Sequence, residues 1–438
     1  MTNIALVVLD TVRKDYFEKY FGWLKGKRFE QAFSTANWTG PAHASLFTGD
    51  YGSAVGVSSK SRGLTCNQKV LPEILQENGF TTWGWSANPN VTSKTNFDRG
   101  FDEFASPWSL ENPDKDILDF GELINEHNHL PSYQFYPRLT YETIIRDCDT
   151  LASLQYGLRR FLDLDTSASN DDGASIILER AKSTDFGEQE FLFVNLMEAH
   201  TPYFPPEEYR DYDSPIEMPF GKAYTGVDDP ELVRDGYDSA VRYLGDIYQE
   251  IFSTLEEDFD YIITVSDHGE LLGEHHGMWN HVSGIYPELT HVPLVISGLD
   301  EKEDCDLTVS ILDLYATILE LTGVGSDQDG SRDLTSPQDS RTYLAEYRGP
   351  FDRSLERSKS EGLDLDKYDR DLFALIESGS YGYEDYHEWR EIGDSSRTNP
   401  QDDLDELLDR MEMRRLQVDD DGDLDDGVED QLEKLGYM

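Results

Sequence analysis

The sequence predicts a large α/β domain built on a parallel sheet, followed by a smaller unit. Three observations carry this. Ile4–Leu9, 191–197 and 260–265 are nearly continuous apolar runs, the pattern of strands buried on both faces. Long segments with helical apolar spacing stand among them, above all 232–256. Each run gives way at its C-terminal end to a potential ligand: Asp10, His200, and the pair Asp267-His268. The carboxyl ends of strands are where open α/β sheets place ligands.

The remaining elements follow in order. Residues 29–36 lead to a bend expected at Gly40-Pro41, with a short helix over 42–47. An apolar stripe over 71–78 stops at Gly79, and 80–86 reads as a strand. Asn88-Pro89-Asn90 is a loop, and 97–104 an ordered turn. Residues 107–140 show no regular pattern, whereas 144–162 and 175–181 read as helical. Residues 205–229 form a long loop. Residues 292–296 give a further strand, with Pro293 placing it near a sheet edge. A helix is expected over 307–321, ending at Gly323. Past about residue 330 the texture changes. Residues 341–347 and 373–383 look like antiparallel strands, 402–413 like a charged helix, and 428–435 like a short one. The acidic stretch 419–430 fails as an EF-hand, because Gln417 and Val428 would occupy its first and twelfth positions.

Composition narrows the function classes. Of 438 residues, 88 are acidic and 37 basic, giving a formal charge of −51 spread over the whole chain. Aromatics at 12% and the long apolar runs argue against disorder. The preferred reading is adaptation to a cytoplasm at molar salt, where the Debye length falls to about 3 Å and self-repulsion weakens. Such a charge disfavours nucleic acid as a partner. Cys66, Cys148 and Cys305 are odd in number and scattered, which fits a reducing compartment. Neither a basic leader nor a run of roughly 18 apolar residues is present, so the expectation is a cytoplasmic protein without a transmembrane segment.

The segment W-T-G-P-A-H-A-S-L-F-T-G (38–49) carries the chemistry. A hydroxyl held on a bend at a helix N-terminus faces unpaired N–H groups and the positive end of the dipole, a place suited to an anion or an alkoxide. Taken alone, Thr39 would be read as a helix cap. Asp10, Asp267 and His268 at parallel strand ends change the balance. With Thr39 they make three oxygen ligands and one nitrogen, a set that suits Zn²⁺, Mn²⁺ or Mg²⁺ and can take Ca²⁺. A metal touching Thr39 would make it a nucleophile. His200 and His281 could hold the oxygens of a tetrahedral ester, protonate a leaving group or bind a second metal. His275 and His276 are read as loop histidines outside this set.

These pieces, in this order, resemble the sulfatase-like branch of the alkaline phosphatase superfamily. V-V-L-D-T-V-R-K-D (7–15), the Thr39 segment, L-P-E-I-L-Q-E-N-G-F-T-T (71–82), F-D-R-G-F-D-E-F (97–104), M-E-A-H-T-P-Y (197–203), S-D-H-G-E (266–270) and G-E-H-H-G-M-W-N-H (273–281) carry the resemblance. It implies a three-layer α/β/α sandwich of alkaline phosphatase/sulfatase type over residues 1–330, with a small C-terminal α+β subdomain over 331–438. It also implies a divalent metal held by Asp10, Thr39, Asp267 and His268, with His200 and His281 catalytic and His43 and Asn88 on the substrate. The departures matter. Sulfatases oxidise Cys or Ser in C/S-x-P-x-R to formylglycine; here Thr39 stands at that position and His43 at the Arg. Thr11 replaces the second Asp of the sulfatase pair, Val282 a lysine, and Ala87 and Pro89 the Lys and His of another segment. What remains resembles the Thr-nucleophile members, which act on phosphodiesters or phosphonates or transfer phosphoryl groups. The expected substrate is a phosphate or, as an alternative, a sulfate ester, on a small molecule or linked to a glycan or lipid. A catalytically silent binding protein is the third possibility.

One consequence of the charge is directly testable. Dialysis from molar salt to about 0.1 M, where the Debye length grows to about 10 Å, is expected to unfold the chain. Far-UV circular dichroism that does not change on dialysis would exclude salt adaptation.

Overall fold

Along the strand Ile4–Leu9 (β1), Ile4, Leu6 and Val8 enter one apolar cluster and Ala5, Val7 and Leu9 another, and all six are fully buried. This period-two split makes β1 the middle of a three-layer structure. The structure is a computed structural model. It describes residues 2–106, 132–145, 150, 153, 173–299, 304–325, 331–336, 339–360, 362–393, 404 and 408.

The sheet adds Lys27–Arg28 (β2), Thr81–Ser86 (β3), Glu103–Ala105 (β4), Glu190–Leu196 (β5), Tyr261–Val265 (β6) and Leu294–Ser297 (β7), in the order β2-β7-β6-β1-β5-β3-β4. Strands β6, β1, β5, β3 and β4 are parallel, while β7 runs antiparallel to β6 and to β2. Pro293 precedes β7, second from the edge, where a missing N–H disturbs the ladder least. Val8 lies beside Val265, Leu9 beside Leu196, and Ser86 beside Asn195. That register brings Asp10, Asn88, His200 and Asp267-His268 off the same edge of the sheet.

Helices cover both faces. On one, Pro230–Leu255 and Ala174–Ser183 bury Tyr237, Val241, Leu244 and Ile177 against Val7 and Leu9. Pro230 starts the long helix, and the Asp229 side chain caps it, accepting from Leu232 N at 3.1 Å. On the other face, Thr39–Thr48, Leu71–Glu77 and Asp313–Leu321 pack Leu46, Phe47, Leu71, Leu75, Leu314 and Ile318 against Leu6 and Val8.

Several expectations are corrected. The helix expected over 42–47 begins at Thr39, so Gly40-Pro41 makes no bend. Pro41 fits the first helical turn, where its fixed φ is helical and no N–H is needed. Trp38, extended at φ −153°, is the residue before the helix, so Thr39 is its first residue rather than its cap. Gly40 is required by space: a Cβ there would stand 2.6 Å from the Trp38 indole. The long loop contains a helix, Phe220–Thr225, and 307–321 divides into a short strand, Val309–Ser310, and the helix Asp313–Leu321. The helix Ser132–Ile145 ends where one was expected to begin, and includes part of the segment read as patternless. The expectations for 107–131, 402–413 and 419–435, and most of that for 146–162, lie outside the described residues or nearly so.

Near the C-terminus Tyr343–Arg348 (β8), Asp371–Glu377 (β9), Ser380–Glu384 (β10) and Trp389–Gly393 (β11) form an antiparallel sheet in sequence order. The expected strand 373–383 is thus a hairpin, turning through Gly379 at φ +78°. This sheet is tied to the large one. Glu346 N donates to Thr35 O at 2.9 Å, and its carboxylate accepts from Ser53 N at 2.7 Å. Tyr343, Tyr347 and Ile376 share an apolar cluster with Met278, Ile285 and Leu289. Cys66 and Cys305 are buried free thiols, and no described helix is long and apolar enough to cross a membrane.

Phe47 anchors the Thr39 helix, its ring centroid 5.0 Å from that of Phe193 and 5.9 Å from that of Phe97. Phe47→Ala is expected to remove about 3–5 kcal/mol of stability, read as a lower denaturant midpoint. A loss below about 1 kcal/mol would mean that this anchor does not hold the helix.

Candidate active site

The site grows from the first turns beyond the parallel strands. Thr11, a non-glycine residue at φ +65°, turns the chain sharply after β1. Its hydroxyl donates to Asp10 Oδ1 at 2.7 Å and its N–H to Asp267 Oδ1 at 3.2 Å, linking the ends of β1 and β6. His268 N donates to the same Asp267 oxygen at 2.9 Å. Ser34 Oγ donates to the Asp267 carbonyl. The adjacent Asp267 and His268 therefore face one centre.

Thr39 Oγ1 lies 3.5 Å from Asp10 Oδ2 and 3.4 Å from His268 Nε2. Asn88 Nδ2 donates to Asp10 Oδ2 at 2.7 Å and to Thr39 Oγ1 at 3.2 Å. Asp10, Asp267 and His268 offer ligand atoms within 4.8 Å of one another. All five of these side chains are fully buried. Beside them the rings of His268 and His281 stand 4.4 Å apart by centroid, and those of His281 and His200 4.9 Å. His281 Nδ1 is 3.4 Å from Glu270 Oε1, while Tyr203 OH donates to Glu270 Oε2 at 3.3 Å.

His43 is placed differently. Its Nδ1 bonds the Thr39 carbonyl at 3.0 Å, one helical turn back, which leaves Nε2 to accept from Asn195 Nδ2 at 3.1 Å. Phe47, Phe97 and Phe193 meet the imidazole edge to face. Both nitrogens thus face protein groups. The reading by residue type missed Asn195, which also reaches Asp10 Oδ2 at 3.5 Å. The signal was available: it is the one polar residue within the apolar run F-L-F-V-N-L-M. Thr11 and Glu270 were likewise not named as site residues.

Burial dominates the electrostatics. It lowers His43 and His268 to about 4, and it lowers His200 as well. His281 is held well below its ordinary value by burial and then by His268 and His200. Burial opposes the charge on Asp10, yet the facing His268 and His200, the Thr11 hydroxyl and His43 hold its carboxyl below the ordinary range. Asp267 is pushed well above that range by burial and then by the negative Asp10.

These residues fit a divalent cation. Asp267 Oδ2 is buried without a hydrogen-bond partner, an expensive state unless a cation meets it. His268 Nδ1 bonds the Gly269 carbonyl at 2.9 Å, which turns the Nε2 lone pair toward the carboxylates. Two carboxylates, an imidazole and a hydroxyl are a donor set for a borderline or hard divalent ion.

Sequence and fold together place the chain in a class, the alkaline phosphatase superfamily. The sulfatase family model matches residues 3–324, and the chain belongs to that family. Among curated proteins it is 34% identical over 88 residues to arylsulfatase K of Xenopus laevis, covering 20% of this chain and 16% of that protein. It is 31% identical over 135 residues to the low-salt glycan biosynthesis sulfotransferase Agl7 of Haloferax volcanii, covering 28% and 31%. These alignments span less than a third of either relative. Among solved structures, a phosphonate monoester hydrolase from Silicibacter pomeroyi superposes with a TM-score of 0.59 at 17% identity, covering 96% of each chain. BT1596, a 2-O GAG sulfatase, gives 0.58 at 12% identity, covering 93% of this chain and 91% of that one. At such identities the likeness is one of fold.

Metal analysis of the purified protein is expected to find a bound divalent ion. Asp267→Asn should weaken its binding by more than the roughly 10–100-fold typical of a partner behind the ligands. Equal affinity in the variant, measured by calorimetry, would remove Asp267 from the ligand set.

Proposed function

We propose that the protein is a metal-dependent ester hydrolase or transferase that uses Thr39 as its nucleophile, acting on phosphodiesters or phosphonate monoesters in preference to sulfate esters. One observation carries this reading: the Thr39 hydroxyl opens a helix at the point where Asp10, His268 and Asn88 converge. Asp10, Thr39, Asp267 and His268 would hold the cation, which when bound lowers the pKa of the hydroxyl and offsets the negative charge of the ester. Thr39 Oγ then displaces the alcohol from phosphorus in line, forming a covalent ester on the threonine. Water, or an acceptor alcohol, releases the product and restores the hydroxyl. Asn88 donates to the attacking oxygen, and the positive end of the helix dipole favours negative charge on it. His200 and His281 lie beside the equatorial oxygens; neutral without substrate, they give a proton to the departing alkoxide once the bound anion has raised their affinity for it. His43 acts behind the nucleophile, fixing the first helical turn through the Thr39 carbonyl.

The charge of the site favours a monoanionic ester. The imidazoles are neutral and the two carboxylates balance one divalent cation, so a phosphate monoester dianion would bring excess negative charge. The substrate's alcohol would belong to a small molecule or to a glycan- or lipid-linked ester. Sulfuric ester chemistry on a glycan is a second reading, favoured by the partial identity to Agl7. Threonine at the nucleophile position weighs against it, because oxidising that side chain would give a ketone and not the sulfatase aldehyde.

The test is a paired rate assay in molar KCl with Mn²⁺, Zn²⁺, Mg²⁺ or Ca²⁺, using an aryl phosphodiester, an aryl phosphonate and an aryl sulfate. Metal-dependent turnover of the first two is expected, falling roughly 10⁴-fold or more in Thr39→Ala, as when a nucleophile is removed. Asn88→Ala should cost about 10²–10³-fold in kcat. Full activity in Thr39→Ala would overturn the nucleophile. Turnover of sulfate alone would favour the second reading, and bound metal with no turnover a silent scaffold.

A further inference from the structure

We propose a second metal site, formed by His276, Asp385 and His387, that takes a zinc-class divalent ion and clamps the hairpin carrying His281 to the C-terminal sheet. The short strands Leu271–Leu272 and Trp279–Asn280 pair as the base of that hairpin. His276, at φ +64°, sits in the turn between them, and Glu270 and His281 flank its two ends. Asp385 and His387 belong to the turn joining β10 to β11. The two turns meet through His276 Nε2 and Asp385 Oδ2, 3.1 Å apart. The His276 and His387 rings stand edge to face at 5.3 Å. One ligand atom from each of the three residues lies within 4.8 Å of the others.

The chemistry of this set is selective. Two imidazoles and a carboxylate suit Zn²⁺, Co²⁺, Ni²⁺ or Cu²⁺ and are poor ligands for Mg²⁺ or Ca²⁺. The Asp385 side chain is 2% exposed, so the carboxylate is fixed, while the His276 side chain at 43% is reachable from solvent. Asp385 Oδ1 accepts from His387 N at 3.2 Å, which orients the carboxylate. One group competes: Arg390 Nε donates to Asp385 Oδ2 at 2.7 Å. Its guanidinium also reaches Glu388 at 2.9 Å, a partner it can keep when a cation takes the aspartate. Such a clamp would act on the catalytic loop from outside the Asp10–Asp267–His268 centre.

The experiment is calorimetric titration of the full chain with Zn²⁺, paired with the visible absorption of bound Co²⁺. Wild type should bind one more ion per chain than His276→Ala or His387→Ala, and the Co²⁺ signal of that ion should be absent from both variants. Arg390→Ala should bind that ion several-fold more tightly, since the competing cation is gone. Zn²⁺ should raise the unfolding midpoint of wild type more than that of His387→Ala. Unchanged stoichiometry in both histidine variants would overturn the site, as would equal competition by Mg²⁺. Circular dichroism of the metal-free variants separates loss of a ligand from loss of fold, and the Arg390→Ala arm tests the site without removing a ligand. Loss of this ion leaves the Asp267→Asn titration unaffected, so the two sites fail independently.

Discussion

Two buried carboxylates held next to each other are the constraint on which the site turns. Asp10 and Asp267 leave adjacent parallel strands and are joined through Thr11, with neither side chain reached by solvent. Like charges that close cannot both ionise without a counter-charge. The surrounding side chains answer with neutral imidazoles, amides and hydroxyls, so the deficit points to a cation. The turn at Thr11, the hydroxyl of Ser34 on the Asp267 carbonyl and the helix opening at Thr39 all serve to keep that arrangement in place.

Behind this centre stands a layer that the reaction would never touch. His43 and Asn195 connect the carbonyl of Thr39 to Asp10 from the rear, and phenylalanines close round the imidazole. Rigidity of this kind comes from packing rather than from charge, and it fixes the first turn of the Thr39 helix. The identity of residue 43 therefore matters through the backbone position of its neighbour.

Much of the fold was legible because buried parallel strands are written as apolar runs. Ile4–Leu9, 191–197 and 260–265 each lie within a residue of the observed strands, and Asp10, His200, Asp267 and His268 follow them in the structure as in the sequence. The helix at Thr39 was misplaced because Gly-Pro reads as a bend in isolation, while Trp38 covering Gly40 and proline in a first turn make it helical. Asn195 went unnoticed because strand periodicity says which positions are buried but not which polar atom waits opposite. The pairing of His276 with Asp385 spans 109 positions, a distance no local pattern reports.

The hydrogen bond from Glu346 to Thr35, with Ala36 bridged to the same strand, sets a limit on modularity. The strand that opens the C-terminal sheet is stitched to the chain only a few residues ahead of Thr39. A recombination event that exchanged the last hundred residues for those of a relative would import a foreign edge beside the Thr39 helix. Lineages with this architecture should therefore inherit both parts together, and variety in substrate should arise within the loops instead of by shuffling.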